Sequence, residues 1–147
     1  MTSMNHAGSF RDLVVYHKAK EVSRAIFDLS KTFPREEIYS LTDQIRRAVR
    51  SIGAQIAEAW AKRRYEKHFV GKLSDADAEQ METQHWVSEA YDCRYIDSAQ
   101  SEALLAELQQ VGRMLNSMIE KSHLFCRQNQ NVIREEQAAY LLERDHH

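Results

Sequence analysis

Residues 41–59 read LTDQIRRAVRSIGAQIAEA, and this pattern predicts a long helix with two usable faces. Apolar side chains recur at steps of three and four, which is the period of a helical stripe that faces a core. The stripe consists of Leu41, Ile45, Ala48, Ile52, Ile56 and Ala59. The opposite side lacks the long charged residues that a solvated helix face normally carries. We therefore expect another helix, from this chain or a second subunit, to approach it at an oligomer interface formed by Gly53, Ala54, Ala57 and Ala61.

Helical periodicity on both sides of this segment predicts three more long helices. The first begins at about Asp12, which is the predicted N-cap, and ends at Thr32. Pro34 prevents its continuation because the residue before a proline is disfavoured in helical geometry. The other helices are predicted from residue 38 or 40 to 64, from 66 to 95, and from 98 or 101 to about 121.

The three flanking helices each carry an apolar stripe. The predicted core residues are Val15, Ala19, Val22, Ile26, Leu29 and Phe33, then Phe69, Leu73, Ala76, Thr83, Val87 and Ala90, and finally Leu104, Leu105, Leu108, Val111, Leu115, Met118 and Ile119. Because the connections are short, neighbouring helices are expected to be antiparallel. The predicted fold is all-α, an antiparallel up-down-up-down four-helix bundle that forms oligomers. Its boundaries are a loosely ordered stretch at 1–9, the bundle at 10–122, and a tail at 123–147 with a short helix in 132–144.

Composition agrees with this assignment. One proline and four glycines in 147 residues are too few for the many tight turns that connect the strands of a sheet. The net charge of −2 neither favours nor excludes nucleic acid, but the charges are unevenly distributed. Residues 43–72 contain eight Lys or Arg and three acids, whereas 73–97 contain seven acids and only Arg94. Such polarity orients a partner or a second copy of the chain.

The central helix also resembles a known family. Its residues follow the pattern Leu-x-x-Gln-Ile-Arg-Arg-Ala-x-x-Ser-Ile-x-x-Asn-Ile-Ala-Glu-Gly, which is typical of the four-helix-bundle proteins encoded in intervening sequences of bacterial 23S ribosomal RNA genes. The similarity extends through residues 10–16, Phe33-Pro34 and Glu82-Thr83-x-x-Trp86-Val87, and covers roughly 10 to 121. Two positions differ from the usual pattern: Gln55 replaces Asn and Ala59 replaces Gly. The first is expected to alter a buried hydrogen bond, and the second to stiffen the helix.

This resemblance implies a ring-shaped homo-oligomer, a pentamer, without an established catalytic group or cofactor. It extends to the accessory proteins of diversity-generating retroelements, which are basic pentameric bundles that bind nucleic acid and a reverse transcriptase. By analogy, the chain is expected to be a non-catalytic adaptor for RNA or DNA. The alternative is an oligomeric scaffold that binds a protein partner and no nucleic acid.

Two basic clusters on the central helix are candidates for phosphate contacts. Arginine suits phosphates, and an interleaved aromatic ring such as Tyr65 can stack on a base. The candidate nucleic-acid-binding residues are Arg46, Arg47, Arg50, Lys62, Arg63, Arg64 and Lys67. Two alternatives remain for these cations. They form salt bridges with the acidic third helix of another subunit, or they lie on an ordinary solvated face.

Enzymatic alternatives have weaker support. A di-metal carboxylate bundle needs Glu-x-x-His on two helices and a Glu on each of the others. The sequence offers Glu82-x-x-His85, Glu120-x-x-His123, Glu21 and Glu58. However, His85 lies about 160° around its helix from the stripe residue Thr83, so it is expected to face outward. We expect no metal site and no enzymatic activity.

The cysteines and the terminal segments indicate a cytoplasmic protein. Cys93 and Cys126 have no metal-ligand spacing, and Cys93 is expected to be buried as a small apolar residue. The polar stretch 1–9 has no apolar segment typical of a secretory signal, and no run is long enough to span a membrane. We therefore expect a cytoplasmic location and no membrane partner.

Overall fold

A computed structural model describes residues 8–126. Within these residues every regular element is helical and no strand occurs, so the predicted all-α class is confirmed. The four long helices are α1 (Val14–Ser30), α2 (Leu41–Ala61), α3 (Glu66–Asp92) and α4 (Ser98–Glu120). Short 3-10 helices precede α1 (Phe10–Asp12) and α2 (Arg35–Glu37), and a single turn, α5 (Ser122–Phe125), follows α4. The segments predicted at 1–7 and 127–147, including the short helix at 132–144, lie outside the described residues.

Most of the predicted core positions are buried. All six stripe residues of α2 are buried, and Ile52 and Ile56 have no exposed surface. The six predicted residues of α3 are buried as well, but a further buried side chain, Gln80, lies among them. Three predicted core residues, Leu29, Leu105 and Ile119, are only half-buried and pack at the margin of the core. The bundle is therefore held together mainly by aliphatic side chains that repeat at helical spacing.

Within the subunit each long helix packs against two others, so that α4 also contacts α1. The most extensive packing is between α2 and α3, and α4 contacts both α3 and α1. On the α1–α2 side, Arg46 of α2 donates a hydrogen bond to Ser30 of α1. Gly53 of α2 lies next to the Tyr16 ring of α1, since a Cβ added to this glycine would be 3.6 Å from the ring. On the other sides, Glu58 of α2 pairs with Lys72 of α3, and the amide of Asn116 in α4 lies 3.4 Å from Asp77 of α3.

The helix ends differ from the predicted ones by a few residues. Helix α1 begins at Val14 rather than Asp12, because the Asp12 carboxylate accepts hydrogen bonds from the backbone N–H groups of Gly8 and Ser9 and closes the preceding 3-10 turn. Helix α2 ends at Ala61, three residues before the predicted end, and α3 ends at Asp92. The intervening residues form the tight turns that connect the helices.

The α3–α4 turn contains a strained residue. Arg94 has φ 63°, the left-handed region that glycine normally occupies after a helix. The N–H of Tyr95 donates to the carbonyl of Ala90 and the N–H of Arg94 to that of Tyr91, which is the Schellman pattern of hydrogen bonds. The Tyr95 hydroxyl donates to Glu37 at 2.8 Å, and this bond raises the pKa of Tyr95 to about 12. The turn is thereby tied to the segment that precedes α2.

Arg94→Gly is expected to stabilise the bundle. The left-handed conformation costs a non-glycine residue about 1–2 kcal/mol, part of which the greater freedom of glycine in the unfolded chain offsets. The free energy of unfolding in urea should rise by roughly 0.5–1 kcal/mol. Arg94→Ala retains the strain and serves as the control, so equal stabilisation by both substitutions would contradict this interpretation.

The bundle extends past the predicted boundary at 122. Phe125 and Cys126 are buried in the core, and the Phe125 ring stacks on Phe69 of α3 with a centroid separation of 5.9 Å. The Ser122 hydroxyl donates a hydrogen bond to the carboxylate of Glu66. The end of the bundle is thus closed by side chains that follow the last long helix.

The two cysteines have different environments. Cys93 is exposed at the end of α3, so the expectation that it is buried is wrong, because the chain turns away from the core at this residue. Cys126 is buried, and desolvation together with the charge of Glu66 raises the pKa of its thiol to about 11. None of the helices in residues 8–126 combines the length and the hydropathy that crossing a bilayer requires.

Candidate nucleic-acid interface

The arginines in the first half of α2 contact α1. Arg46 is half-buried, and its Nε donates to the Ser30 hydroxyl at 2.8 Å. Its guanidinium lies 4.6 Å from the centre of the Phe27 ring, and that of Arg50 lies 5.2 Å from the same ring. Both arginines therefore hold α1 to α2 through cation–π contacts, which are worth about 0.5–2 kcal/mol each.

Arg47 differs from these two arginines. It is exposed, and within residues 8–126 it has no ion-pair partner. The three arginines predicted as one group are thus divided between a structural and a solvent-facing role. No ion pair between them and the acids of α3 is present in the described part of the subunit.

Helix α1 adds cations that the sequence interpretation missed. Lys20, Arg24 and Lys31 lie on the same side of α1 as Phe27, since the spacing 20, 24, 27, 31 follows the helical period. The Lys31 ammonium lies 4.7 Å from the Phe27 ring, although Asp28 also pairs with it at 3.5 Å. The periodicity of these charges was readable in the sequence, but the contact of Lys31 with the ring that Arg46 and Arg50 also contact was not.

The second basic cluster forms the turn between α2 and α3. Arg63 packs over the Trp60 ring at 3.5 Å and donates to the Trp60 carbonyl at 2.9 Å, so it helps to end α2. Lys62, Arg64 and Lys67 are exposed and have no ion-pair partner within residues 8–126. We refer to residues 62–68 as the basic turn.

An exposed aromatic ring lies within the basic turn. Tyr65 is 57% exposed. The centre of its ring lies 5.4 Å from the centre of the His68 ring and 5.9 Å from the Arg64 guanidinium. Lys62 follows Arg46 by sixteen positions, which is about 24 Å along a helix. The two basic clusters therefore lie on separate surfaces.

The small residues of α2 also differ from one another. Gly53 is half-buried beside Tyr16 of the same chain, where a Cβ would make ordinary contact with the ring, so packing within the subunit does not require a glycine. Ala57 is half-buried as well, whereas Ala54 and Ala61 are exposed. The predicted interface role of these residues stays a prediction, and Ala54 and Ala61 are the positions open to another subunit.

The residues of the di-metal alternative face solvent. His85 is exposed, as its helical position predicts, and its ring centre lies 4.7 Å from that of Trp86. The Trp86 indole N–H donates to the Glu82 carboxylate at 3.1 Å. Glu120 and His123 are exposed too. Residues 8–126 contain no group of three or more His, Cys, Asp or Glu side chains placed to ligate a metal ion.

A partly buried polar network between α3 and α4, centred on the buried Gln80, was missed in the sequence. Gln80 is only 3% exposed, and its Nε2 donates to Asp77 at 2.9 Å. Its Oε1 accepts from Gln84 at 2.7 Å, and Asn116 donates to the Gly112 carbonyl at 2.8 Å. These side chains line an open cavity of about 490 Å³. The only signal was a glutamine at a stripe position.

Gly112 makes room for this network, because a Cβ there would lie 2.8 Å from Gln80 Nε2. We expect Gly112→Ala to lower the free energy of unfolding by about 1 kcal/mol, since displacement of the amide outweighs the gain in helix propensity. In a Gln80→Ala background the same substitution should raise it by about 1 kcal/mol. A double-mutant cycle in urea measures this, and additive effects would contradict the contact.

Comparison with known proteins agrees with the helical pattern. A family model described as 23S rRNA-intervening sequence protein matches residues 11–117. The chain belongs to this family. As a 23S rRNA-intervening sequence protein, it shares the family pattern of α2, in which the stripe from Leu41 to Ala59 is buried. A search of curated proteins finds no match.

A solved structure of the same kind is also similar. It is the crystal structure of a protein of unknown function from the S23 ribosomal protein family of Bacteroides thetaiotaomicron. Sequence identity is 31%, the TM-score is 0.67, and the match covers 72% of this 23S rRNA-intervening sequence protein and 98% of that chain. At the two departures from the family pattern, Ala59 is fully buried and Gln55 Oε1 is buried without a hydrogen-bond partner in the described region. An unpaired buried acceptor costs roughly 1–3 kcal/mol, so Gln55 is a local weak point.

Proposed function

We propose that this chain is a non-catalytic, homo-oligomeric bundle that binds RNA or DNA without reading the base sequence. The observation that carries the proposal is the basic turn, where Lys62, Arg64 and Lys67 are exposed and have no ion-pair partner in residues 8–126. Cations without acidic partners are available to phosphates, whose neutralisation releases counterions from the nucleic acid. The proposal involves no metal or cofactor and locates the protein in the cytoplasm.

The proposed bundle is antiparallel, with up-down-up-down topology. Two contacts support this arrangement for α1 and α2. Ser30, at the C-terminal end of α1, lies beside Arg46 near the N-terminal end of α2. Tyr16, near the N-terminal end of α1, lies beside Gly53, which is further along α2. Such an arrangement brings the basic turn to the same end of the bundle as Phe125, near the close of the described chain.

The proposed oligomer is a ring of identical subunits, a pentamer by family resemblance. Exposed Ala54 and Ala61 support it, because small side chains let a neighbouring helix approach closely. Light scattering at micromolar concentration should give a multiple of the 17.2 kDa chain mass. Ala54→Glu should reduce that mass, whereas Ala106→Glu, at an exposed alanine of α4, should leave it unchanged. A monomeric wild-type protein would refute the ring.

Salt dependence tests the proposed nucleic-acid binding. A ring repeats the basic turn in every subunit and so converts weak phosphate contacts into avidity. Wild-type protein should retain structured RNA and duplex DNA at low salt, with little sequence preference and a steep loss of affinity as salt rises. A protein that retains neither at low salt would contradict the proposal.

A protein scaffold is the second candidate. The segment before α2 exposes two apolar side chains, Ile38 (49%) and Tyr39 (91%), which favours contact with a protein surface. In that case the oligomer should be stable and indifferent to nucleic acid. The binding assay above therefore separates the two candidates.

A further inference from the structure

The aromatic ring of the basic turn has no evident structural role. Tyr65 occupies the N-cap position of α3 but provides no side-chain cap to the helix. It is 57% exposed, and its hydroxyl has no hydrogen-bond partner among residues 8–126. A large side chain left in water at a helix start contributes little to the core, and its ring is accessible to a ligand.

Its charged surroundings distinguish Tyr65 from other exposed tyrosines. Tyr39 and Tyr91 are also exposed, but residues 36–42 around Tyr39 contain no Lys or Arg, and residues 88–94 around Tyr91 contain only Arg94. Residues 62–68 contain four Lys or Arg and a single acid, Glu66. In the basic turn, Lys62, Arg64 and Lys67 are all exposed around Tyr65, and the His68 ring adjoins it at 5.4 Å. An accessible ring among cations without acidic partners is the combination that binds unpaired nucleotides, since bases stack on the ring and phosphates contact the cations.

We propose that the basic turn binds single-stranded nucleic acid, with one base stacked on Tyr65 and the adjoining phosphates contacted by Lys62, Arg64 and Lys67. This inference rests on the proposed function and specifies its substrate class. Charge attracts any nucleic acid, but an exposed ring favours single strands, because in a duplex both faces of each base are already stacked. Every base has such a face, so the site does not discriminate between sequences.

Fluorescence anisotropy with three labelled probes tests the inference. The probes are a short single strand, an abasic strand with the same number of phosphates, and a duplex of the same length. The full-length wild-type chain should bind the base-containing strand about 5- to 100-fold more tightly than the abasic strand at the same salt concentration. Using DNA and RNA versions of the single strand shows which sugar is preferred.

Substitutions of Tyr65 separate stacking from charge. Tyr65→Ala should weaken binding of the base-containing strand about 5- to 100-fold, while abasic-strand binding and the salt dependence stay unchanged. Tyr65→Phe retains the ring and should bind as the wild type does, and Tyr39→Ala is the control at an exposed tyrosine outside the basic turn. Thermal melting checks that each variant is folded.

The possible failures are distinguishable. Equal binding of base-containing and abasic strands by the wild type, or wild-type affinity in Tyr65→Ala, would overturn this inference and leave phosphate binding intact. No binding of any of the three probes at low salt would overturn the proposed function and this inference with it.

Discussion

Lys62→Glu/Lys67→Glu is expected to lower the affinity for structured RNA and duplex DNA about 100-fold or more at low salt. Both lysines are exposed, and each is available for a phosphate contact. Losing one phosphate contact reduces the magnitude of the slope of log affinity against log salt concentration by about 0.9. At 50 mM salt this corresponds to a loss of affinity of roughly tenfold. Charge reversal adds repulsion to this loss. Filter binding across a salt series measures both the affinity and the slope.

The folded state should tolerate these changes. Lys62 follows the C-terminus of α2, where a negative charge is mildly unfavourable, whereas Lys67 is in the first turn of α3, where it is favourable. Arg35→Glu/Arg113→Glu is the matched control, with the same change in net charge at exposed positions away from the basic turn. Equal loss of affinity in both variants would show that overall charge, and not the basic turn, determines binding.

Phe125→Ala is expected to lower the free energy of unfolding by about 3–5 kcal/mol. The ring is 3% exposed and stacks on Phe69, which has no exposed surface. Removing it leaves a cavity between α3 and the turn that follows α4, and the surrounding structure relaxes only partly to fill such a space. Urea unfolding followed by circular dichroism measures the change.

The adjacent residue provides the control for this prediction. Leu124 is half-buried at the edge of the core, so Leu124→Ala should cost clearly less than Phe125→Ala. A loss below about 1 kcal/mol for Phe125→Ala would show that the bundle ends at residue 122, which is the boundary that the sequence predicts.

Arg46 illustrates how a candidate site residue changes meaning in three dimensions. The sequence presents it beside Arg47 and Arg50 as one of three equivalent cations. In the fold, Arg46 and Arg50 contact Phe27, so substitution of either affects packing as well as charge. Arg47 and the exposed lysines of the basic turn are therefore the cleaner positions for testing nucleic-acid binding.

Helical periodicity was sufficient to predict four long helices and the buried stripe of α2, because residues three and four apart on a helix share one face whatever lies opposite. Family membership followed from the same stretch. Helix ends were less accurate, since they depend on caps and turns such as the hydrogen bonds from Gly8 and Ser9 to Asp12. These are local but weak signals.

Contacts between distant residues were not accessible from spacing. Burial of Gln80 opposite Gly112, closure of the bundle end by Phe125, and the clustering of cations from α1 and α2 around Phe27 all join positions on different helices. Periodicity shows which face of a helix is apolar, but the partner of each residue depends on how the helices are placed against one another. Packing therefore decides which charged side chains make contacts within the subunit and which remain available to a ligand.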